Sequence, residues 1–229
     1  SLTAIKEACY PKICTTTRGC QASREEKPMI FKPNLAILPP PQLQLWLELD
    51  ATPEHFTLYG GTALALRLGH RTSVDFDFFS NQCFDPDSLA RSIPYLKDAE
   101  WVQASSNTLK CRVERVGPVL VSFFGGLGLG QAAPRDQVEG AKIHVASLLD
   151  LAGTKVAVVQ QRAETRDYID IDVLLRHGVD LPTALAAGRV IYGRSFNPMI
   201  TLKALSFFED LLALPEDVRR RLTAAVNAV

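Results

Sequence analysis

Residues 56–79 read FTLYGGTALALRLGHRTSVDFDFF, and the order of elements in this stretch decides the fold. Phe56 to Tyr59 has the make-up of a short buried strand, Gly60 and Gly61 form a turn, and Thr62 to Leu68 continues with helical spacing until Gly69 stops it. From Ser73 to Phe79, Val74, Phe76 and Phe78 alternate with Asp75 and Asp77, the period of a half-buried strand. The alternation predicts both carboxylates on one face and the three apolar side chains packed on a core behind it. The aspartates are then held rigidly.

Each piece has a physical use. A glycine pair lets the backbone approach phosphate oxygens, and a helix N-terminus offers free amides and a partial positive charge to an anion. Thr62 can add a hydroxyl or cap the helix. Two aspartates at i and i+2 on one strand face repel each other unless a cation lies between them. Magnesium suits such a pair, because it takes hard oxygen donors from one or two carboxylates and completes its shell with substrate phosphates. Taken singly, a Gly-Gly pair is most often a turn and an Asp-x-Asp a solvated strand face. Their joint occurrence, in this order and on these elements, predicts a site for a metal-bound nucleotide.

Outward from this stretch, prolines punctuate Pro28 to Pro41 and a short helix is expected over Gln42 to Asp50. Asp85 to Leu96 reads as a helix broken near Pro94, and 100–105, 109–115 and 118–124 as strands. Lys142 to Val145 reads as a final edge strand. Ser147 with Asp150 is an acceptable capping box for a helix reaching about Gln161, and Thr165 can cap another through Arg176. Amphipathic stretches at 181–191, 199–213 and 215–227 complete a helical C-terminal region. The fold class is α+β with a mixed sheet, divided into a lead-in (1–41), a catalytic domain (42–145) and a helical domain (146–229). Gly125, Gly126, Gly128 and Gly130 follow a strand, but with Pro134 and little helical pattern after them a hairpin or flexible loop is favoured over a dinucleotide turn.

At 229 residues, with 47% hydrophobic and 22% charged residues and 25 acids against 25 bases, the chain has an ordinary globular composition. Zero formal charge speaks against coating nucleic acid by bulk electrostatics and leaves room for a local basic face. No apolar run approaches the roughly 20 residues that span a bilayer, so no membrane contact and a cytoplasmic location are expected. Residues 1–28 carry Cys9, Cys14 and Cys20 without common zinc spacings, which favours reduced thiols, and read as an upstream extension or a mis-set start. Cys83 and Cys111 read as structural, and His55, His144 and His177 have no metal or triad spacing.

The stretch from Phe56 to Phe79 resembles the signature of the AbiEii/AbiGii nucleotidyltransferase toxins, a branch of the polymerase-β-like superfamily. DLAGTKVAVVQQRAETRDYIDIDVLL, Asp150 to Leu175, resembles that family's helical motif. The likeness implies a polymerase-β-like core in which Asp75 and Asp77 hold one or two magnesium ions. Gly60, Gly61 and Thr62 would cradle the triphosphate and Lys155 would contact a phosphate. Arg162, seven residues on and on the same helical face, would join Lys155, although a solvated basic face is the plainer alternative. Asp167 and Asp170 would orient these cations or take part in catalysis; Arg166 with Asp170 could equally be a surface ion pair. Arg71 and Ser73, just ahead of the aspartate strand, group with the nucleotide-binding residues, and His70 could touch the nucleotide too.

One departure stands out. Where such enzymes commonly carry a third carboxylate on a neighbouring strand, Val119 to Phe123 offers Ser122. Either Asp167 or Asp170 substitutes, or metal alone activates the acceptor, or catalysis is weakened. The resemblance implies transfer of a nucleoside monophosphate from a nucleoside triphosphate to RNA, transfer RNA included, by the toxin of a toxin–antitoxin or phage-defence system with a cognate antitoxin. The competing readings are transfer to a small molecule and a nucleotide-binding protein without turnover.

Overall fold

The computed structural model describes residues 28–229, so the three N-terminal cysteines and the reading of the start as an extension lie outside the described residues. Phe76 and Phe78 have no exposed surface and set the strand Asp75–Phe79, here β3 in chain-order numbering. Phe78 stacks on Phe123 at 5.4 Å, and Trp46 meets Phe76 at 6.5 Å. Each buried phenyl contributes about 2 kcal/mol of transfer free energy, enough to pin the strand while its other face stays half-exposed. Val74 departs from the expectation: it is 45% exposed and precedes the strand. Pairing of β3 with its parallel neighbour starts only at Asp75, opposite Leu120, and the Val74 carbonyl accepts instead from Gln42 Nε2 at 3.0 Å.

Around β3 lie β2 (Thr57–Tyr59), antiparallel, and β6 (Pro118–Phe124), parallel. Then come β5 (Thr108–Glu114) and β4 (Glu100–Ser105) on one side. On the other lie β8 (His144–Val145), β7 (Asp136–Val138) and β1 (Ile30–Phe31). The sheet order is β1-β7-β8-β2-β3-β6-β5-β4, with parallel and antiparallel pairs mixed. β8, expected at an edge, is interior, because it pairs in parallel with β2 and antiparallel with β7. Neither β1 nor β7 is among the strands expected from sequence.

The helices are α1 (Pro40–Trp46), α2 (Gly60–Leu68), α3 (Pro86–Ser92), α4 (Leu148–Val158), α5 (Thr165–Arg176), α6 (Leu181–Tyr192), α7 (Pro198–Ala204) and α8 (Glu216–Asn227). Gly69 ends α2 in the left-handed conformation, φ 61°, as expected of a C-cap. Ser147 caps α4, its Oγ accepting from Asp150 N at 3.0 Å. Three helices stop early, the first being α1, which ends at Trp46 rather than Asp50. The chain turns after Val158, leaving Arg162 beyond α4, and α7 ends at Ala204, where Ser206 Oγ bonds the Leu202 carbonyl at 2.8 Å in competition with the helix. Glu164, not Thr165, precedes α5, without a side-chain cap. One buried cluster joins the sheet, through Phe78 and Phe123, to Leu151 of α4, Ile171 of α5 and Leu222 of α8. Among the described residues no helix is long and apolar enough to cross a membrane.

Candidate active site

Strand β3 delivers Asp75 and Asp77 to one face, and strand register decides what they meet. Tyr59 lies opposite Asp77 on β2, Ser122 on β6, and Lys110 lies opposite Ser122 on β5, so the four form one row across the sheet. Immediately after Tyr59 the chain enters α2. Gly60, at φ 77°, brings the backbone so close to β3 that a Cβ there would stand 3.0 Å from Asp77 Oδ2. At Gly61 a side chain would collide with the Arg71 guanidinium. A carboxylate and an arginine therefore both abut the glycine turn. The N-terminus of α2 has no side-chain cap and no acid in its first turn. Its amides are free for an anion.

A cavity of about 520 Å³ opens over this row. It is lined by Gly60, Gly61, Thr62, Arg71, Ser73, Asp75, Asp77, Ser122, Lys155 and Arg162, which unites most of the residues singled out from sequence. Burial pushes the Asp75 carboxyl up; burial and then the neighbouring Asp75 do the same to Asp77, although Ser122 hydrogen-bonds it. Neither forms an ion pair among the described residues, and the nearest cations, Lys110, Arg166 and Lys155, act at longer range. Two desolvated, uncompensated carboxylates beside an anion cradle are a donor set that fits a hard dication whose remaining ligands come from phosphate and water. Among the described residues no group of three His, Cys, Asp or Glu side chains gathers as a closed metal site.

Asp167 and Asp170 lie behind the cavity and do not line it. Both are fully buried. Lys155 Nζ donates to Asp167 Oδ1 at 2.8 Å and lies 2.6 Å from Asp170 Oδ2. Arg162 grips Asp167 through Nε at 2.8 Å and Nη2 at 3.2 Å; Arg71 grips Asp170 through Nε at 2.7 Å and Nη2 at 2.9 Å. His70 Nε2 adds a contact to Asp170 at 2.7 Å. Burial alone would raise both acids, but Lys155 and Arg162 outweigh it at Asp167, and Arg71, His70 and Lys155 drive Asp170 far below the ordinary carboxylate range. Such carboxyls are poor proton acceptors. They orient cations, and their sealed position does not accommodate a carboxylate standing in for the acid replaced by Ser122.

Other expectations need correction. Arg162 does not share a helix face with Lys155; it lies past the end of α4, and the two converge on Asp167 instead. The alternative of a solvated basic face fails as well, with the Lys155 side chain 7% exposed. Arg166 pairs with Glu164 at 2.7 Å rather than with Asp170. Thr62 neither caps α2 nor presents a free hydroxyl: its Oγ1 bonds Ser73 Oγ at 2.7 Å and the Asp75 carbonyl, fastening α2 to β3. His70 is buried against Asp170 and is not among the lining side chains. Lys110, Tyr59, Gln161, Arg166 and Tyr192 also line the cavity, a role not expected of them from sequence. Lys110 had a signal, its phase on β5; register was needed to read it.

The nucleotidyl transferase AbiEii toxin family of type IV toxin–antitoxin systems matches residues 43–228. The chain belongs to the AbiEii nucleotidyltransferase toxin family. An uncharacterized protein of Aquifex aeolicus (strain VF5) is 35% identical over 159 residues, 68% of this chain and 74% of that protein. Two solved structures share the fold. The nucleotidyltransferase toxin MenT4 from Mycobacterium tuberculosis H37Rv matches at TM-score 0.56 and 16% identity, covering 82% of this chain and 84% of its own. A protein from H. pylori designated a nucleotidyltransferase matches at TM-score 0.50 and 15% identity, over 81% and 90% of the two chains. As an AbiEii family member the protein is a nucleotidyltransferase with an α+β fold.

Proposed function

We propose that this AbiEii nucleotidyltransferase transfers a nucleoside monophosphate from a magnesium-bound nucleoside triphosphate to an RNA hydroxyl, transfer RNA among the acceptors, as a toxin countered by a cognate antitoxin in the cytoplasm. The observation that carries the reading is the close approach of the Gly60 backbone to the Asp77 carboxylate, near enough that a Cβ at Gly60 would stand 3.0 Å from Asp77 Oδ2, which sets an anion cradle against a pair of acids with no ion pair among the described residues. Asp75 and Asp77 would hold magnesium, as one ion or two. Magnesium bound there supplies positive charge to the triphosphate and to the acceptor oxygen.

The free amides of α2 at Gly61 and Thr62 receive β- and γ-phosphate oxygens. Arg71 beside Gly61, with Lys155 and Arg162, all held by Asp170 and Asp167, neutralises the triphosphate. Ser73 contributes by fixing Thr62 at the turn. The acceptor oxygen attacks the α-phosphorus in line; its bond to phosphorus forms as the bond to the β-bridging oxygen breaks. Pyrophosphate leaves toward Gly61 and Lys155. The acceptor's proton passes to water, since the lining acids are the two ligands. Rate enhancement comes from positioning and charge neutralisation. In this scheme residues 42–145 supply the cradle, the metal ligands and Arg71, and 146–229 supply Lys155, Arg162 and the two acids that hold the three cations.

Incubation with magnesium, each labelled nucleoside triphosphate and total cellular RNA tests the reading. Label is expected in RNA and is expected to vanish in both Asp75→Asn and Asp77→Asn. Label in a small hydroxyl compound but never in RNA would refute it. Ser122 beside Asp77, where an acid is common, favours one second reading: nucleotide binding without turnover. Binding by calorimetry with no label in any acceptor would establish that alternative.

A further inference from the structure

The sheet face that carries the aspartates continues past them. Tyr59 and Phe79, stacked at 4.9 Å between ring centroids, line both the carboxylate cavity and a second one of about 560 Å³. In the second cavity Thr57 and Phe79, opposite each other on β2 and β3, lie on the sheet side, and Leu127 and Leu129 come from the glycine-rich stretch after β6. That stretch is fastened in place. Asn81 donates to the Leu129 carbonyl and accepts from Leu129 N, both at 2.9 Å, and Gly130 N donates to the Ile191 carbonyl at 2.9 Å. The second cavity in turn shares Gln131 and Arg135 with a third hollow of about 520 Å³ beside Pro134 and His144.

Three hollows thus adjoin in series, the first at the reacting carboxylates. A small hydroxyl acceptor needs one of them. A chain molecule uses all three, and a space of this size holds a single unpaired nucleoside but no duplex. The chemistry agrees: aromatic rings and leucines flank the plane of a base without selecting its identity, and one arginine at the next junction suits a phosphodiester. Arg135 is anchored by Nη1 on the Glu54 carbonyl at 2.7 Å and lies 3.9 Å from the exposed Glu54 carboxylate through Nη2, a loose pair that a phosphodiester can displace. His55 and His144 add little charge there, since burial and then Arg135 hold both below the ordinary histidine range.

We propose that the cavity between Phe79 and Leu129 binds the terminal nucleoside of a single-stranded RNA acceptor, with the adjoining phosphodiester on Arg135 and the chain leaving past His144. The assignment rests on transfer to RNA and adds where the acceptor lies. The terminal ribose then sits at the Tyr59–Phe79 wall, where Tyr59 pairs across the strands with Asp77.

The test uses the full chain, an oligoribonucleotide ending in 4-thiouridine, Arg135→Ala, and Leu129→Trp to fill the cavity. Photo-crosslinks of the terminal base are expected in the 127–135 peptide. Both variants are expected to raise KM for RNA about tenfold or more, with kcat at saturating RNA and nucleotide affinity unchanged. Arg135→Ala should also lower the slope of log Kd for RNA against log salt by about one. Crosslinks confined to other peptides, or folded variants with wild-type KM, would overturn the assignment and leave RNA transfer standing. A wild-type protein that labels no RNA removes both.

Discussion

Two pairs of aspartates in this protein, alike in chemistry and each close together in sequence, have been placed in opposite circumstances. Asp75 and Asp77 line a cavity, carry no ion pair among the described residues, and are pushed up by burial. Asp167 and Asp170 are sealed from solvent, bound by two arginines, a lysine and a histidine, and held below the ordinary range. The difference teaches that burial does not decide what a carboxylate is for; compensation does. An uncompensated pair asks for a cation from outside, whereas a compensated one spends its charge fixing the protein's own cations. The second pair therefore serves the first at a distance, by aiming Arg71, Lys155 and Arg162 at the same cavity.

Removing one member of each pair breaks the comparison most sharply. Asp170→Ala leaves Arg71, His70 and Lys155 without their shared partner, and a loss of about 3–5 kcal/mol in unfolding free energy is expected from urea melts. Asp77→Asn removes a charge whose burial outweighs the help it receives from Ser122 and the more distant lysines, so the same melts should show stability unchanged or raised. Its cost falls on transfer, by about 10²–10³-fold or more in kcat. A clear loss of stability in Asp77→Asn would mean that the two pairs are alike after all.

The contrast was half legible in the sequence. Gly60, Gly61 and the Asp75–Asp77 alternation are local patterns, each set by one turn or one strand, and they carried the first pair to its place. Asp167 and Asp170 were noticed, but their sealing depends on Arg71 and His70, about a hundred residues away in sequence. Lys110 and Ser122 join Asp77 through strand register, which composition does not encode. Val74 obeys the alternation and still escapes the strand, because pairing begins at Asp75. Arg162 reaches Asp167 only because α4 stops short; the helical spacing that linked it to Lys155 named the right partner for the wrong reason.

A smaller effect sharpens the division of labour. Arg162→Ala takes one of two cations from Asp167 and leaves Lys155 bound, so stability should fall by less than in Asp170→Ala. Arg162 is partly exposed, and its charge is screened accordingly. The expected outcome is a rise of roughly tenfold in KM for the nucleotide, as for one charge-assisted contact, with a modest change in kcat. If stability collapses while KM stays constant, Arg162 belongs to the scaffold and not to the phosphate wall.

Acid gives the smallest and most specific test. Asp167 and Asp170 sit below their ordinary value of 3.8 in the folded protein. Above that pH both carboxyls are ionised in the folded and the unfolded chain, and their ion pairs contribute in full. As pH falls below 3.8, the unfolded chain takes up protons that the folded protein refuses, so equilibrium shifts toward unfolding until the folded carboxyls protonate too. Melts over this range should lose stability on the order of 1 kcal/mol for each pKa unit of separation. Asp170→Asn, with one of the two carboxyls gone, should start less stable at neutral pH and descend less steeply in acid. Equal slopes for the two proteins would show that the buried acid carries no linked proton, and the contrast with Asp75 and Asp77 would lose its electrostatic basis.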